Sequence, residues 1–141
     1  MVIHSFYCYF VSKMKVMKQH RCLISIGSNT NRDVNIKLAQ KELSIHFQDI
    51  YLGKEQDTIP IGMLNPAHFT NQLAKCSTTL SIDEVKNIFK KIESQAGRLP
   101  ADKIDGIIKL DIDLLIYDNL VLKENDMKKD FIIEGLKEFE L

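Results

Sequence analysis

Two aspartates in an alternating stretch are the residues of this sequence best suited to chemistry. Asp111 and Asp113 lie within residues 108–117, where apolar and polar side chains alternate as along a β-strand. A rise of about 3.3 Å per residue predicts Cα atoms about 6.5–7 Å apart, with both carboxylates on one face. That spacing suits one or two hard cations such as Mg²⁺, which binds carboxylate and phosphate oxygens. The alternative is a solvent-exposed strand face on which Lys109 balances the charge.

The same alternation predicts which side chains of this strand face the core. The apolar residues of one parity are expected to be buried: Ile108, Leu110, Ile112, Leu114 and Ile116. The other parity is expected beside the aspartates: Lys109, Leu115 and Tyr117.

Other strands and helices are predicted to support this strand. Residues 22–26 form a short buried strand that runs into a Gly-Ser-Asn turn. A helix follows, capped by Asn31 or Asp33, and it is expected to end near Phe47. Its buried stripe is predicted from helical spacing: Val34, Leu38 and Ile45, with Ala39 and Leu43 beside it. Residues 49–59 and 69–79 are predicted strands, the first of them at an edge.

A second helix has the clearest boundaries in the sequence. Ser81 and Glu84 form a capping-box pattern, and Gly97 is a natural stop. Residues 120–122 predict a short strand, and residues 126–139 leave a helix and a strand both open. The order of strands and helices predicts an α+β, ferredoxin-like fold: a mostly antiparallel sheet with two main helices on one face.

Composition narrows the class of protein. The chain has 141 residues and a formal net charge of zero, so neither nucleic acid nor a membrane is expected as a partner. Three scattered cysteines favour a reducing, cytoplasmic location. The apolar run at residues 6–11 is too short to span a bilayer. We expect residues 1–16 to be an extension outside the fold, with translation starting at Met17 and one domain over residues 17–141.

Short motifs in this order resemble a known enzyme family. They are Ile26-Gly27-Ser28-Asn29, Thr58-Ile59-Pro60-Ile61-Gly62, Phe69-Thr70-Asn71, Ile92-Glu93-Ser94-Gln95-Ala96-Gly97-Arg98 and Leu110-Asp111-Ile112-Asp113-Leu114-Leu115. The set is similar to the 6-hydroxymethyl-7,8-dihydropterin pyrophosphokinases of the folate pathway and covers residues 21–117. The resemblance implies transfer of pyrophosphate from ATP to a reduced pterin, with release of AMP. It also implies two Mg²⁺ ions held by Asp111 and Asp113. We expect a monomer that binds ATP and the pterin.

The resemblance assigns further residues to the site. The positions that match the family's pterin pocket are Gly27, Thr58, Ile61, Phe69 and Asn71. An Asn amide offers both a donor and an acceptor to the edge of a pterin. Arg98 matches a family arginine that faces ATP, although it would also suit a helix C-terminus. Glu93 matches a helix glutamate, with an exposed residue as the alternative. Lys109 is expected beside Asp111, on the nucleotide side.

The chain also departs from the family pattern. Family arginines are replaced by Leu99-Pro100 and by Ile108, and no histidine follows His68. The segment Asp126-Met127-Lys128-Lys129-Asp130-Phe131 resembles a shortened remnant of the family's last motif. In it Phe131 would be the ring that stacks on the pterin, and Lys128 or Lys129 would replace an arginine. A point charge does not reproduce a bidentate guanidinium. Three interpretations stay open: a slow pyrophosphokinase, a non-catalytic paralogue that binds pterin or nucleotide, and an unrelated ferredoxin-like module.

Overall fold

A five-stranded antiparallel sheet forms the centre of the protein. The computed structural model describes residues 18–59 and 68–139. The strands are β1 (His20–Ser28), β2 (Tyr51–Thr58), β3 (Phe69–Thr78), β4 (Asp111–Tyr117) and β5 (Leu120–Val121). They lie in the order β2-β3-β1-β4-β5, and each neighbouring pair is antiparallel. The predicted extension over residues 1–16 and the predicted pterin-pocket residue Ile61 lie outside the described residues.

Helices cover both faces of the sheet. The main helices α1 (Arg32–His46) and α2 (Ile82–Gln95) pack on one face, and the short helix α3 (Asp130–Leu136) packs on the other. The α+β, ferredoxin-like prediction is confirmed, and the C-terminal segment is a helix rather than a strand. One-turn 3₁₀ helices occupy Pro100–Lys103 and Asp126–Lys128. In the part of the chain that the structure describes, no helix has the length and apolarity needed to cross a membrane.

The main core lies between the sheet and helices α1 and α2. Side chains from three strands and both helices are buried there: Cys22, Ile24, Ile26, Ile36, Ala39, Leu43, Phe47, Ala74, Cys76, Val85, Phe89, Ile92, Leu110, Ile112, Leu114 and Tyr117. Each fully buried aliphatic or aromatic side chain contributes about 1.5–3 kcal/mol. The predicted capping box at the start of α2 is present: the Ser81 hydroxyl accepts from Glu84 N, and the Glu84 carboxylate accepts from Ser81 N.

The predicted buried stripe of α1 is wrong at Val34 and Ile45 and confirmed at Ala39 and Leu43. Val34 and Ile45 are 69% and 61% exposed, whereas Asn35, Ile36, Ala39 and Leu43 are buried. The apolar residues of α1 lie on both sides of the helix, so their spacing alone fits two stripes. Asn31 occupies the N-cap position with a left-handed backbone (φ 45°), but its side chain makes no capping hydrogen bond.

A second, smaller core lies on the other face of the sheet. Leu23, Leu73 and Leu115 pack there against Ile132 of α3. Gly135 allows this close packing, because a Cβ at that position would lie 2.7 Å from Leu73 Cδ1. The sheet therefore presents one face to a large core and shares the other face between α3 and an open cavity.

A β-bulge changes the predicted alternation of β4. Ile24 pairs with Leu114 while Leu23 pairs with Ile116, so Leu115 is an extra residue between them. Beyond the bulge the faces exchange: Tyr117 enters the main core, and Ile116 packs against the smaller one. The predicted sides of Ile116 and Tyr117 are thus wrong, whereas those of Ile112 and Leu114 are confirmed.

Candidate active site

A cavity of about 570 Å³ lies between the second face of the sheet and α3. This volume is within the usual range for small-molecule sites. The cavity is lined by Ser25, Gly27, Thr58, Ile59, Phe69, Asn71, Ile108, Asp111, Asp113, Leu115, Asp126, Lys129, Asp130, Phe131 and Ile132. Both aspartates of β4 are among them, together with five of the six residues that the sequence suggested for a pterin.

Strand register brings these residues together from distant parts of the chain. Gly27 of β1 pairs with Asn71 of β3 on one side and with Asp111 of β4 on the other. Two residues away, Ser25 pairs with Asp113. Because side chains two residues apart share a face, all five positions point toward the same cavity. The sheet therefore places an amide, a glycine and a carboxylate in one row.

The two carboxylates lie close enough to affect each other electrostatically. The pKa of Asp113 is raised to about 6, mainly by burial and secondly by the negative charge of Asp111. Lys123 acts in the opposite direction, toward the charged form. A half-buried acid beside a second carboxylate favours protonation or a bound cation.

This donor set fits a hard divalent cation. Both ligands are carboxylate oxygens, which Mg²⁺ prefers, and their mutual repulsion would be relieved by a shared positive charge. Within residues 18–59 and 68–139, no group of three or more His, Cys, Asp or Glu side chains is arranged to hold a metal ion. The remaining ligands of Mg²⁺ would therefore be water and phosphate oxygens, as is usual for this ion.

Arg98 and Glu93 form a network behind Asp111. Arg98 Nη1 lies 3.0 Å from Asp111 Oδ1 and 2.9 Å from Glu93 Oε2. Glu93 also accepts a hydrogen bond from Ile112 N at 2.8 Å, between the two aspartates. Burial raises the pKa of Glu93, and this hydrogen bond opposes the shift. The network fixes the first aspartate and its backbone, but neither Arg98 nor Glu93 lines the cavity.

Lys109 contacts the end of α2 rather than the cavity. Its Nζ donates to Gly97 O at 2.9 Å and lies 3.3 Å from Asp102 Oδ2. Lys109 precedes the first residue of β4, and it is absent from the cavity lining.

The polar end of the cavity is built around Asn71. Asn71 Nδ2 donates to Thr58 Oγ1 at 2.6 Å, which fixes the orientation of the amide. Its Oδ1 then lies toward Gly27, where an added Cβ would be 3.2 Å from that oxygen. Phe69 and Phe131 supply aromatic surface to the same cavity. An oriented amide and two aromatic rings in one cavity suit a flat heterocycle with donors and acceptors along one edge.

Gly27→Ala is expected to weaken pterin binding about tenfold. The new methyl would displace the Asn71 carbonyl by a few tenths of an ångström and narrow the cavity beside it, and small misplacements at such sites have large effects. Titration with 6-hydroxymethylpterin measures the loss, and thermal unfolding checks that the fold is intact. Unchanged pterin affinity in a folded variant would contradict this role of Gly27.

The sequence did not identify the acidic residues that α3 and the preceding turn contribute. Asp126 and Asp130 line the cavity, and Lys129, which lies 3.1 Å from Asp126, is the one basic residue of the lining that the structure describes. Ser25 was also missed, although its position two residues before Gly27 was a usable signal. Of the two lysines considered as replacements for an arginine, Lys129 lines the cavity and Lys128 does not.

Fold and site together define the class of protein. It is a ferredoxin-like α+β protein in which a strand-borne carboxylate pair faces a cavity of small-molecule size.

The chain belongs to the 7,8-dihydro-6-hydroxymethylpterin-pyrophosphokinase family, whose model matches residues 23–140. The match excludes an unrelated ferredoxin-like module. Enzymes of this family are folate-pathway pyrophosphokinases that use ATP and Mg²⁺ and bind a pterin.

A solved structure with partial similarity is a hydantoinase/carbamoylase family amidase from Burkholderia ambifaria. It shares 8% sequence identity with this chain at a TM-score of 0.40, over 86% of the chain. The chain spans 33% of the length of that amidase. At this level of similarity the amidase carries no argument about fold or function.

Proposed function

We propose that this protein transfers pyrophosphate from ATP to the hydroxymethyl group of 6-hydroxymethyl-7,8-dihydropterin and releases AMP. In this reaction the hydroxymethyl oxygen forms a bond to the β-phosphorus, its proton is lost, and the bond to the AMP oxygen breaks. One observation carries the proposal: Asp111 and Asp113 line the same cavity as Asn71, Phe69 and Phe131. A metal-bound phosphate at the two aspartates and a flat ring at Asn71 would therefore bind in the same cavity.

Different side chains of the cavity would bind the phosphates of ATP and the pterin ring. Asp111 and Asp113 would hold two Mg²⁺ ions, which would supply positive charge against the phosphates of ATP. Asn71 would pair with the pterin edge, and Phe69 and Phe131 would pack on its faces. Arg98 and Glu93 support this role by holding Asp111 and the backbone of Ile112. Phosphoryl-type transfer depends mainly on such positioning and charge neutralisation.

The excess of negative charge in the cavity supports a slow turnover. Four aspartates and one lysine are among its lining residues, so a polyphosphate is repelled unless cations accompany it. Cations that contact the transferring group contribute powers of ten in rate. We therefore propose that turnover is slower than in family members that carry the full set of arginines, and that Lys129 supplies the positive charge in the cavity.

A second candidate is a protein that binds pterin or nucleotide without transfer. The observation that favours it is the state of Arg98, whose guanidinium is engaged by Glu93 and Asp111. An arginine in this state is less available to ATP phosphates.

We also propose a cellular location and an oligomeric state for the protein. Cys22 and Cys76 are free thiols, which supports a reducing cytoplasm. We also propose that the protein is a monomer.

An AMP-release assay separates the two candidate functions. The protein is incubated with ATP, Mg²⁺ and 6-hydroxymethyl-7,8-dihydropterin, and AMP is quantified against reactions without pterin and with EDTA. We expect AMP release that requires both the pterin and Mg²⁺. Binding of 6-hydroxymethylpterin without AMP release would support the non-catalytic candidate, and absence of pterin and Mg-nucleotide binding would contradict both.

A further inference from the structure

A side-chain amide on the edge strand holds the backbone of the helix that carries Phe131. Gln56 Nε2 donates to Phe131 O at 2.9 Å. Gln56 also pairs in register with Asn71, so this one residue of β2 contacts both the strand that carries Asn71 and the helix that carries Phe131. The register and this hydrogen bond together fix the distance between Asn71 and the helix.

The approach of α3 to Gln56 depends on Gly135, which lies one helical turn after Phe131. A Cβ at Gly135 would lie 3.2 Å from Gln56 Nε2 and 2.7 Å from Leu73 Cδ1. With only a hydrogen at this position, the first turn of α3 can lie against the sheet within reach of the amide. The close packing and the hydrogen bond therefore occur at the same place.

The other polar contacts between β2 and this segment lie toward its C-terminal end. Glu138 accepts from Lys54 N at 2.9 Å and from the Tyr51 hydroxyl at 3.1 Å, and Lys54 Nζ lies 3.5 Å from Glu134. Among the described residues, Gln56 makes the one side-chain hydrogen bond from β2 to the first turn of α3. A helix of seven residues has little stability of its own, so its first turn depends on such tertiary contacts.

We propose that Gln56 is a positioning residue that holds Phe131 at the distance from Asn71 that a pterin ring requires. This inference rests on the proposed function and adds a determinant of pterin recognition on β2. Gln56 itself does not line the cavity, and it acts through the backbone of Phe131.

Gln56→Glu and Gln56→Met test the role of the amide donor. Glutamate keeps the shape but places an acceptor against the Phe131 carbonyl, and methionine keeps the length without a donor. Loss of one hydrogen bond predicts a change of up to about tenfold, with the glutamate variant more affected. We expect the Kd for 6-hydroxymethylpterin and the KM for the dihydropterin to rise by about that factor. The KM for ATP and kcat are expected to change less than about threefold, because Asp111 and Asp113 are untouched.

The matched control is Glu55→Gln, an exposed neighbour on the same strand. It is expected to leave every parameter unchanged. Hydrogen exchange of the ligand-free protein supplies a readout that needs no substrate. The amides of residues 130–136 are expected to exchange faster in both Gln56 variants than in the control, while those of β1 and β3 do not change.

The outcomes separate this inference from the proposed function. Pterin binding without AMP release in the wild-type protein would overturn the proposed transfer and leave Gln56 to be judged by its Kd values. Normal turnover with equal pterin KM in Gln56→Glu and Glu55→Gln would overturn the role of Gln56 alone. A parallel loss of pterin and ATP affinity would also overturn it, because that is the result of general loosening. Wild-type protein that binds no pterin would overturn both.

Discussion

Asp113→Asn is expected to abolish Mg²⁺-dependent turnover and, at the same time, to stabilise the metal-free protein. The amide removes one of the two anionic ligands that would hold the metal, and loss of metal-assisted charge neutralisation predicts a decrease in kcat/KM of at least about 10³-fold. Stability should change in the opposite direction, because Asp113 is a half-buried acid beside Asp111. A neutral side chain of the same shape removes both the cost of burying a negative charge and the repulsion by Asp111.

The stability gain has a defined pH dependence. The pKa of Asp113 is raised to about 6 by burial and by Asp111, and an unfolded aspartate has a pKa of about 3.9. For an acid with a raised folded-state pKa, the native protein binds more protons, so stability is highest below about pH 4 and falls as the pH rises to about 6. Allowing for solvent screening, the charged form of Asp113 lowers the free energy of unfolding by about 1–2 kcal/mol above about pH 6.

Unfolding in EDTA at two pH values measures this effect. Asp113→Asn is expected to raise Tm by about 3–6 °C at pH 7.5 and by much less at pH 4. Asp105→Asn, at an exposed loop position, is the control and is expected to change neither stability nor activity. A destabilised Asp113→Asn variant, or one that retains wild-type turnover, would show that the carboxylate has a structural role instead.

Lys129→Met is expected to reduce kcat/KM for ATP about 100-fold. Lys129 is the one basic residue in the described cavity lining, which also contains four aspartates. In the absence of nucleotide its Nζ pairs with Asp126 at 3.1 Å, a contact that an exposed lysine can readily exchange for a phosphate. Removing a cation from a transferring phosphate typically costs powers of ten in rate.

The adjacent lysine provides the control for this prediction. Lys128 is exposed and lies outside the cavity lining, so Lys128→Met changes the same net charge without changing the site. It is expected to stay within about threefold of wild type at moderate salt, where distant charges are screened. Lys129→Arg is expected to retain most activity, because it keeps the charge. Equal effects of the two methionine variants would mean that overall charge, not Lys129, matters.

The sequence predicted the residues of the sheet better than those of the helices around it. Asp111, Asp113 and Asn71 were correctly placed on strands, and a period of two assigned the faces of the two aspartates without knowledge of the partner strands. Gly27 was predicted in a turn, whereas it lies within β1. The α1 stripe was wrong at Val34 and Ile45, because these two residues fit helical spacing as well as the residues that are buried. Packing against the sheet decided between the two faces, and no local pattern contains that information.

The residues that the C-terminal segment contributes to the cavity could be identified only from the three-dimensional structure. Asp126 and Lys129 reach the cavity through a 3₁₀ turn and a seven-residue helix, and neither has a strong periodic pattern. Their placement depends on Ile132 in the smaller core and on Gly135 against Leu73. The contact of Gly135 with Leu73 joins residues 62 positions apart (135 − 73), so it is set by tertiary packing rather than by local propensity.

The bulge at Leu115 divides β4 into two segments whose orientations are set separately. Upstream, pairing with β1 turns the two acids toward the cavity; downstream, Tyr117 donates from its hydroxyl to Leu80 O and anchors the strand end in the main core. An inserted or deleted residue in the downstream segment can be absorbed by restoring or removing the irregularity, without inverting the carboxylates. A change of length at the far end of the strand is therefore expected to leave the carboxylates in place, whereas a shift of one residue between Asp113 and Leu115 would turn them into the core.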